Sequence, residues 1–332
     1  MTREQLTTLT EMLTYARPCG SSTEAEYIAR YIACLPDATE DVHGNYHVTV
    51  GTSSILWSAH TDTVHRCEGR QTLRVNEREY TIRLSRRSKR AGVSCLGADD
   101  TVGCFILREM ILAGIPGRYV FHYGEECGGI GSGNLAAYTP ELLDGVKFAI
   151  ALDRQGTCDI ITSQLGGTCA SEAFAHSLAA QLPGRYASAS GTFTDTANYT
   201  DIVPECSNPS VGYYHAHSSR EYVDYAHVGH LLHALCNLNP DLLVCARDPH
   251  ARRIDLWPVS RPSSRSRDVS LFAPIYTSSL SDATWCDYCD APIIDPGEDY
   301  PALGSFCVCS DDDDYRDLSP EDAKFLRYLR DR

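Results

Sequence analysis

The chain has 332 residues, 43% of them hydrophobic, enough to bury a full α/β core with room for an appendage. Its formal net charge of −15 argues against a general nucleic-acid binder. No apolar run is long enough to cross a bilayer, and Met1-Thr2-Arg3-Glu4-Gln5-Leu6 lacks the basic-then-apolar form of a signal peptide, so the expected location is cytoplasmic, with no membrane partner.

In chain order, Leu6–Tyr15 and Ser22–Cys34 read as helices, the second capped by Ser21 or Ser22. Tyr46–Val50 and Ile55–Ala59 read as strands, and Gln71–Leu84 as a hairpin turning near Asn76-Glu77-Arg78. Then follow helix Thr101–Ala113, strand Arg118–Tyr123, strands Lys147–Leu152 and Asp159–Thr162, helix Glu172–Gln181, strand Val211–Tyr214 and a closing helix Val223–Leu238. Strands alternating with helices predict an α/β fold: a three-layer, mostly parallel sheet with helices on both faces. The fifteen Cys mostly sit singly in apolar contexts, as at Cys34, Cys104 and Cys236, and read as small buried hydrophobes rather than a disulfide framework.

Five short motifs carry the chemistry. They are His60-Thr61-Asp62, Gly97-Ala98-Asp99-Asp100, Glu125-Glu126, Asp153 after Ala151-Leu152, and His217 in His215-Ala216-His217-Ser218-Ser219-Arg220-Glu221. Alone, each has an ordinary reading: a His-Asp surface pair, a helix N-cap, a solvated acidic face. Together they place acids and imidazoles just after strand-like runs, where open α/β sheets bind ligands. Two His, three carboxylates and one spare carboxylate are the inventory of a two-zinc hydrolase. If His60, Asp99, Glu126, Asp153 and His217 hold two Zn²⁺, the three carboxylates and a bridging hydroxide balance the metal charge. Such a site can be buried without a large ionic desolvation penalty. Glu125 is then free to act as general base and acid. Asp62, two residues after His60 in a strand, points the same way and can fix the His60 tautomer. His215 competes with His217 for the last position. His65 and His122 read as satisfied polar residues or pocket wall.

At these residues the chain resembles the co-catalytic dizinc exopeptidases of clan MH, which include leucyl aminopeptidases, tetrahedral aminopeptidases and peptidase T-like enzymes. The resemblance covers roughly residues 1–240. It implies the zinc exopeptidase (phosphorylase/hydrolase-like) fold. It implies that Asp99 bridges two metals, that His60 and Asp153 complete one site, and that Glu126 and His217 complete the other. It further implies that Glu125 is the base, that the Asp99–Asp100 peptide is cis, and that two Zn²⁺ ions are the cofactor, with Co²⁺ or Mn²⁺ as substitutes. The segment following His217 matches the His-Ser-x-x-Glu of the related enzymes, which favours it over His215.

Peptidase T-like relatives insert a lid between the third carboxylate and the last His, and tetrahedral aminopeptidases insert a domain after His-x-Asp. Here the second interval, Thr63–Ala98, has space for at most a hairpin, so residues 1–245 read as a lidless catalytic domain. A missing lid cation favours an aminopeptidase acting on short peptides. Arg154 and Arg220, beside the ligands, keep a carboxypeptidase, dipeptidase or N-deacylase open. A catalytically silent binding module is the remaining alternative, and an intact Glu125 speaks against it.

Residues 246–284 are rich in Arg, Ser and Pro and read as a linker. Within 285–310, Cys286, Cys289, Cys307 and Cys309 form Cys-x₂-Cys and Cys-x-Cys, which reads as a small zinc ribbon or knuckle holding a third, structural Zn²⁺. Residues 311–332 hold the acidic run Asp311–Asp314 and a terminal helix capped by Ser319.

Overall fold

The computed structural model describes residues 1–250, which form one compact unit, Met1–His250. The four cysteines of the expected ribbon, the expected linker beyond residue 250, the acidic run and the terminal helix lie outside the described residues.

The unit is a mixed α/β structure built on a six-stranded sheet. Its strand order is Glu205–Ser207, Phe148–Ala151, Ile55–His60, Gly117–His122, Tyr46–Val50 and Thr39–Glu40. The first four strands pair in parallel, and the last two add in antiparallel register. Every residue of Ile55–His60 is buried, as expected for a strand covered on both faces. Its side chains alternate between two apolar clusters. Ile55, Trp57 and Ala59 pack in the cluster that holds Phe105 and Leu231, while Leu56 packs with Val120, Leu135 and Ala149. The neighbouring strands split the same way, with Tyr119 and Phe121 on one face and Val120 on the other.

Helix Ala98–Leu112 is the main element of the larger cluster. Val102, Phe105, Ile106 and Met110 are fully buried along it, each contributing about 1.5–3 kcal/mol of apolar burial. Gly103 allows it to sit close: a Cβ there would collide with the backbone oxygen of Leu152 and with the Asp100 carboxylate. The N-terminal helices are Arg3–Met12, with a capping box between Thr2 and Gln5, and Ser22–Tyr31, with Ser21 accepting the Glu24 N–H at 3.1 Å. The first ends three residues before the predicted end because Tyr15–Ala16 is drawn into a two-residue ladder with Gly69–Arg70.

Two smaller sheets flank the frame. Leu73–Asn76 and Thr81–Leu84 form the predicted hairpin, which is extended by Tyr222–Asp224 and Tyr213–Tyr214. The expected closing helix therefore starts later, at Tyr225, with Asp224 as its N-cap. The interval after His60 also carries a short helix, Arg86–Arg90. The third sheet joins Asp159–Gln164 in parallel to Ala187–Gly191. Helix Ile130–Tyr138 was not legible, because Gly131 and Gly133 weaken its propensity. Gly131 is required there: a Cβ would overlap the Asn45 side chain. Cys104 is buried as expected, Cys236 partly so, and Cys34 is exposed, a correction of its reading as a buried residue. Its thiol faces outward on the last turn after Tyr31 and donates to the Arg30 carbonyl at 3.0 Å. Ala246 and Arg247 donate their backbone N–H groups to Glu205, which ties this segment to the sheet.

Candidate metal centre

Three parallel strands end side by side. His60 closes its strand, Glu125 and Glu126 follow Gly117–His122 by a turn, and Asp153 follows Phe148–Ala151. Asp99 arrives from the start of helix Ala98–Leu112, where the backbone of Asp99 and Asp100 is non-helical and the peptide between them is cis. His217, with φ +63°, comes from the loop between Tyr213–Tyr214 and Tyr222–Asp224.

The five residues meet in two groups that share Asp99. His60 Nε2 lies 3.0 Å from Asp99 Oδ1 and 3.5 Å from Asp153 Oδ1. His217 Nε2 lies 3.2 Å from Asp99 Oδ2 and 3.1 Å from Glu126 Oε1. Within each group the ligand atoms are all within 4.8 Å of one another. Glu126 Oε1 is buried and close to His217, yet it makes no hydrogen bond. A buried carboxylate oxygen without a hydrogen-bond partner is a position that a cation can satisfy. The donor set, imidazole nitrogen and carboxylate oxygen in two groups, is one that could hold a divalent metal ion.

The electrostatics agree with that fit. Burial, reinforced by Asp99, pushes Asp153 up to about 7. Burial, opposed by His60 and reinforced by Asp153, Asp195 and Glu126, pushes Glu125 up to about 10. Burial would also raise Asp99, but hydrogen bonds from His217 and His60 outweigh it and hold that carboxyl below its usual range. The same contacts with Asp99 and Glu126 lift His217 to about 11. So many buried carboxylates repel one another and favour a cation among them.

The supporting residues are specific. Asp62 is fully buried; its Oδ1 lies 3.3 Å from His60 Nδ1 and accepts the N–H of Glu125 at 3.1 Å, while Oδ2 accepts that of Glu126 at 3.2 Å. The Asp62 backbone carbonyl accepts from His60 Nδ1 at 3.2 Å, so one residue orients both a ring and the Glu-Glu turn. Asp100 faces away from the cluster and accepts the backbone N–H of His60 and of Gly103. His65 is held by Thr63 and Gln71, and His122 by Asn45 and Tyr199, inside the fold. His215 packs its ring against Tyr222 and lies outside both groups.

Sequence reasoning missed several contributors. Thr194 Oγ1 donates to Asp153 Oδ2 at 2.7 Å, Tyr213 OH to the Asp153 carbonyl at 2.7 Å, and the Asp153 N–H to Asn208 Oδ1 at 3.0 Å. Asp195 is buried nearby with one carboxylate oxygen unpartnered. Nothing in Thr192-Phe193-Thr194-Asp195-Thr196 signals this, because its position is set by chain folding alone. Glu221 was visible only as part of the segment after His217. It accepts the N–H groups of Leu96, Gly97 and Asp99, and so fixes the loop that presents Asp99.

A cleft of about 530 Å³ opens beside the cluster, with Asp99, Glu125, Glu126, Asp153 and His217 in its wall. Arg154 lies there too, with its Nε and Nη2 both donating to Asp159 Oδ2, at 3.1 and 2.9 Å.

No family model matches the sequence, and no curated protein matches it. Solved structures do. A tripeptidase from Staphylococcus aureus superposes with a TM-score of 0.58 at 16% identity, covering 72% of this chain and 98% of that one. The aminopeptidase PepT from Bacillus cereus gives a TM-score of 0.52 at 13% identity, with the same coverages. The chain has the fold of these peptidases. A peptidase T-like fold is among those that the sequence resemblance implied. No helix among the described residues is long and apolar enough to cross a membrane.

Proposed function

We propose that the chain is a two-metal exopeptidase that cleaves short peptides, acting from the amino end. The observation that carries this reading is the sharing of Asp99 between His60–Asp153 on one side and Glu126–His217 on the other. The six-stranded sheet with apolar clusters on both faces is the three-layer frame, and the fold in common with a tripeptidase and an aminopeptidase supports the substrate class.

In this reading His60 and Asp153 hold one cation, Glu126 and His217 the other, and Asp99 both. Bound there, two Zn²⁺ ions supply Lewis acidity and lower the pKa of water. The protein's own groups do the rest. Glu125 stands beside His60 and Glu126 and holds no cation in this reading, which leaves its carboxylate free to take a proton from the attacking water and return it to the leaving amine. Asp62 keeps the His60 ring and the Glu125–Glu126 turn in place, so both carboxylates stay aimed at the cleft. Thr194 and Tyr213 hold Asp153.

The direction of attack follows from charge. A carboxypeptidase must neutralise a free carboxylate. Arg154 is the one Lys or Arg among the cleft residues, and Asp159 already occupies it.

The test is turnover on a panel of aminoacyl, N-acyl and C-terminally free peptides, with and without added Zn²⁺, Co²⁺ or Mn²⁺. Cleavage of free-amine peptides that is lost on chelation and restored by metal is expected. Absence of cleavage with every metal, or preference for N-acyl substrates, overturns the reading.

A further inference from the structure

The Glu125–Glu126 turn brings a second set of metal-ligating atoms together, none of them among the residues that line the cleft. Cys127 follows Glu126 and is exposed. Cys19, half-buried, comes from the turn before helix Ser22–Tyr31. The Sγ atoms of both cysteines and a carboxylate oxygen of Asp62 all lie within 4.8 Å of one another. Two tight turns make this meeting possible. Gly20 and Gly124 both adopt positive φ, at +73° and +66°, and a Cβ on Gly124 would stand 3.4 Å from the Cys19 sulfur.

Asp62 has capacity for another partner. Its Oδ1 is engaged by the His60 ring and the Glu125 N–H, while among the described residues Oδ2 accepts one N–H, that of Glu126. A carboxylate oxygen carries two lone pairs, so Oδ2 has one left.

We propose that Cys19, Cys127 and Asp62 form a third metal site, separate from the two-metal cluster, which takes a thiophilic divalent cation such as Zn²⁺ or Cd²⁺. Two sulfurs and one carboxylate oxygen select a soft or borderline cation over Mg²⁺ or Ca²⁺. Each thiol gives its proton to solvent as its sulfur–metal bond forms, so two protons leave per cation bound. Burial pushes the Cys19 thiol up to about 12, so the cation must drive that proton off. Tyr123, beside the same sulfur, works against that rise.

Occupancy has a consequence for the neighbouring cluster. A cation on the free lone pair of Oδ2 draws charge from that oxygen and so weakens its hold on the Glu126 N–H, one of the contacts that keep the Glu125–Glu126 turn in place. The site is therefore inhibitory. This inhibition rests on the peptidase reading above, whereas the site itself does not.

The test uses the full chain, reduced with a phosphine, and three proteins: wild type, Cys19→Ser and Cys127→Ser. Cd²⁺ bound per chain is counted, and the ultraviolet thiolate-to-cadmium band is recorded. The wild type should bind one more Cd²⁺ than either variant and show a stronger band. Thiols elsewhere in the chain contribute equally to all three and cancel. Equal counts in wild type and Cys127→Ser overturn the proposal. Cys127 is exposed, so a matched melting curve for its variant keeps the comparison valid even if Cys19→Ser fails to fold. In peptidase assays, Cd²⁺ should inhibit the wild type about tenfold more than Cys127→Ser, the scale on which residues orienting metal ligands act. A lower count without that difference overturns the inhibitory role. Absence of turnover in every protein counts against the peptidase reading and leaves the cadmium count to decide the site.

Discussion

Glu221 Oε1 accepts the backbone N–H of Asp99 at 3.2 Å, across 122 residues of sequence. Its other oxygen accepts from Leu96 and Gly97, both at 2.8 Å. The loop that presents Asp99 to the two histidines is thus held by a residue from a distant part of the sequence. Glu221→Ala leaves three buried N–H groups without this acceptor, each costing about 1–3 kcal/mol. The variant should melt well below wild type. Glu221→Gln, which keeps one acceptor oxygen, should fall between them. Calorimetric melting of the three proteins checks the order, and equal melting temperatures would contradict it.

Glu125→Gln should bind two metals and retain the fold while losing about 10²- to 10⁴-fold in turnover, the usual range for general acid–base work. Elemental analysis and peptide hydrolysis are the measurements. A purified variant with both metals and more than about a tenth of wild-type activity would remove Glu125 from its assigned role.

Asp99→Ala and Asp100→Ala should differ in kind. Asp99 belongs to both ligand groups, so its loss should empty one or both metal positions. Asp100 accepts the N–H groups of His60 and Gly103 and is fully buried, so its loss should lower stability by about 1–3 kcal/mol per orphaned donor while leaving metal content nearer normal. Metal counting and denaturant melting on both variants separate the two effects. The reverse ranking in metal content would move the bridging role to Asp100.

Gly103→Ala adds one methyl group where the helix touches the Leu152 backbone and the Asp100 carboxylate. It should destabilise the protein by about 1–3 kcal/mol, although alanine has the better helix propensity. Because Leu152 immediately precedes Asp153, metal affinity should drop as well. A variant as stable as wild type would mean that the helix can back away from the sheet at no cost.

The order and type of the chemical groups were legible in the sequence. His60, Asp62, Asp99, Glu125, Glu126, Asp153 and His217 each follow or adjoin a short apolar run, and strand ends are where an open α/β sheet presents its functional groups. The central strands were legible for the same reason, since strands buried on both faces read as continuous apolar runs. Tertiary structure decided the rest. Asp195, Thr194 and Asn208 reach the cluster from segments with no local signature, and the choice of His217 over His215 depends on a loop conformation that no periodicity encodes. Helix Ile130–Tyr138 exists despite its glycines because Gly131 must clear Asn45, a contact across 86 residues. Local sequence fixes which groups can do chemistry and where strands end. Long-range packing fixes which backbone N–H groups meet Asp62 and Glu221, and through them where the carboxylates point.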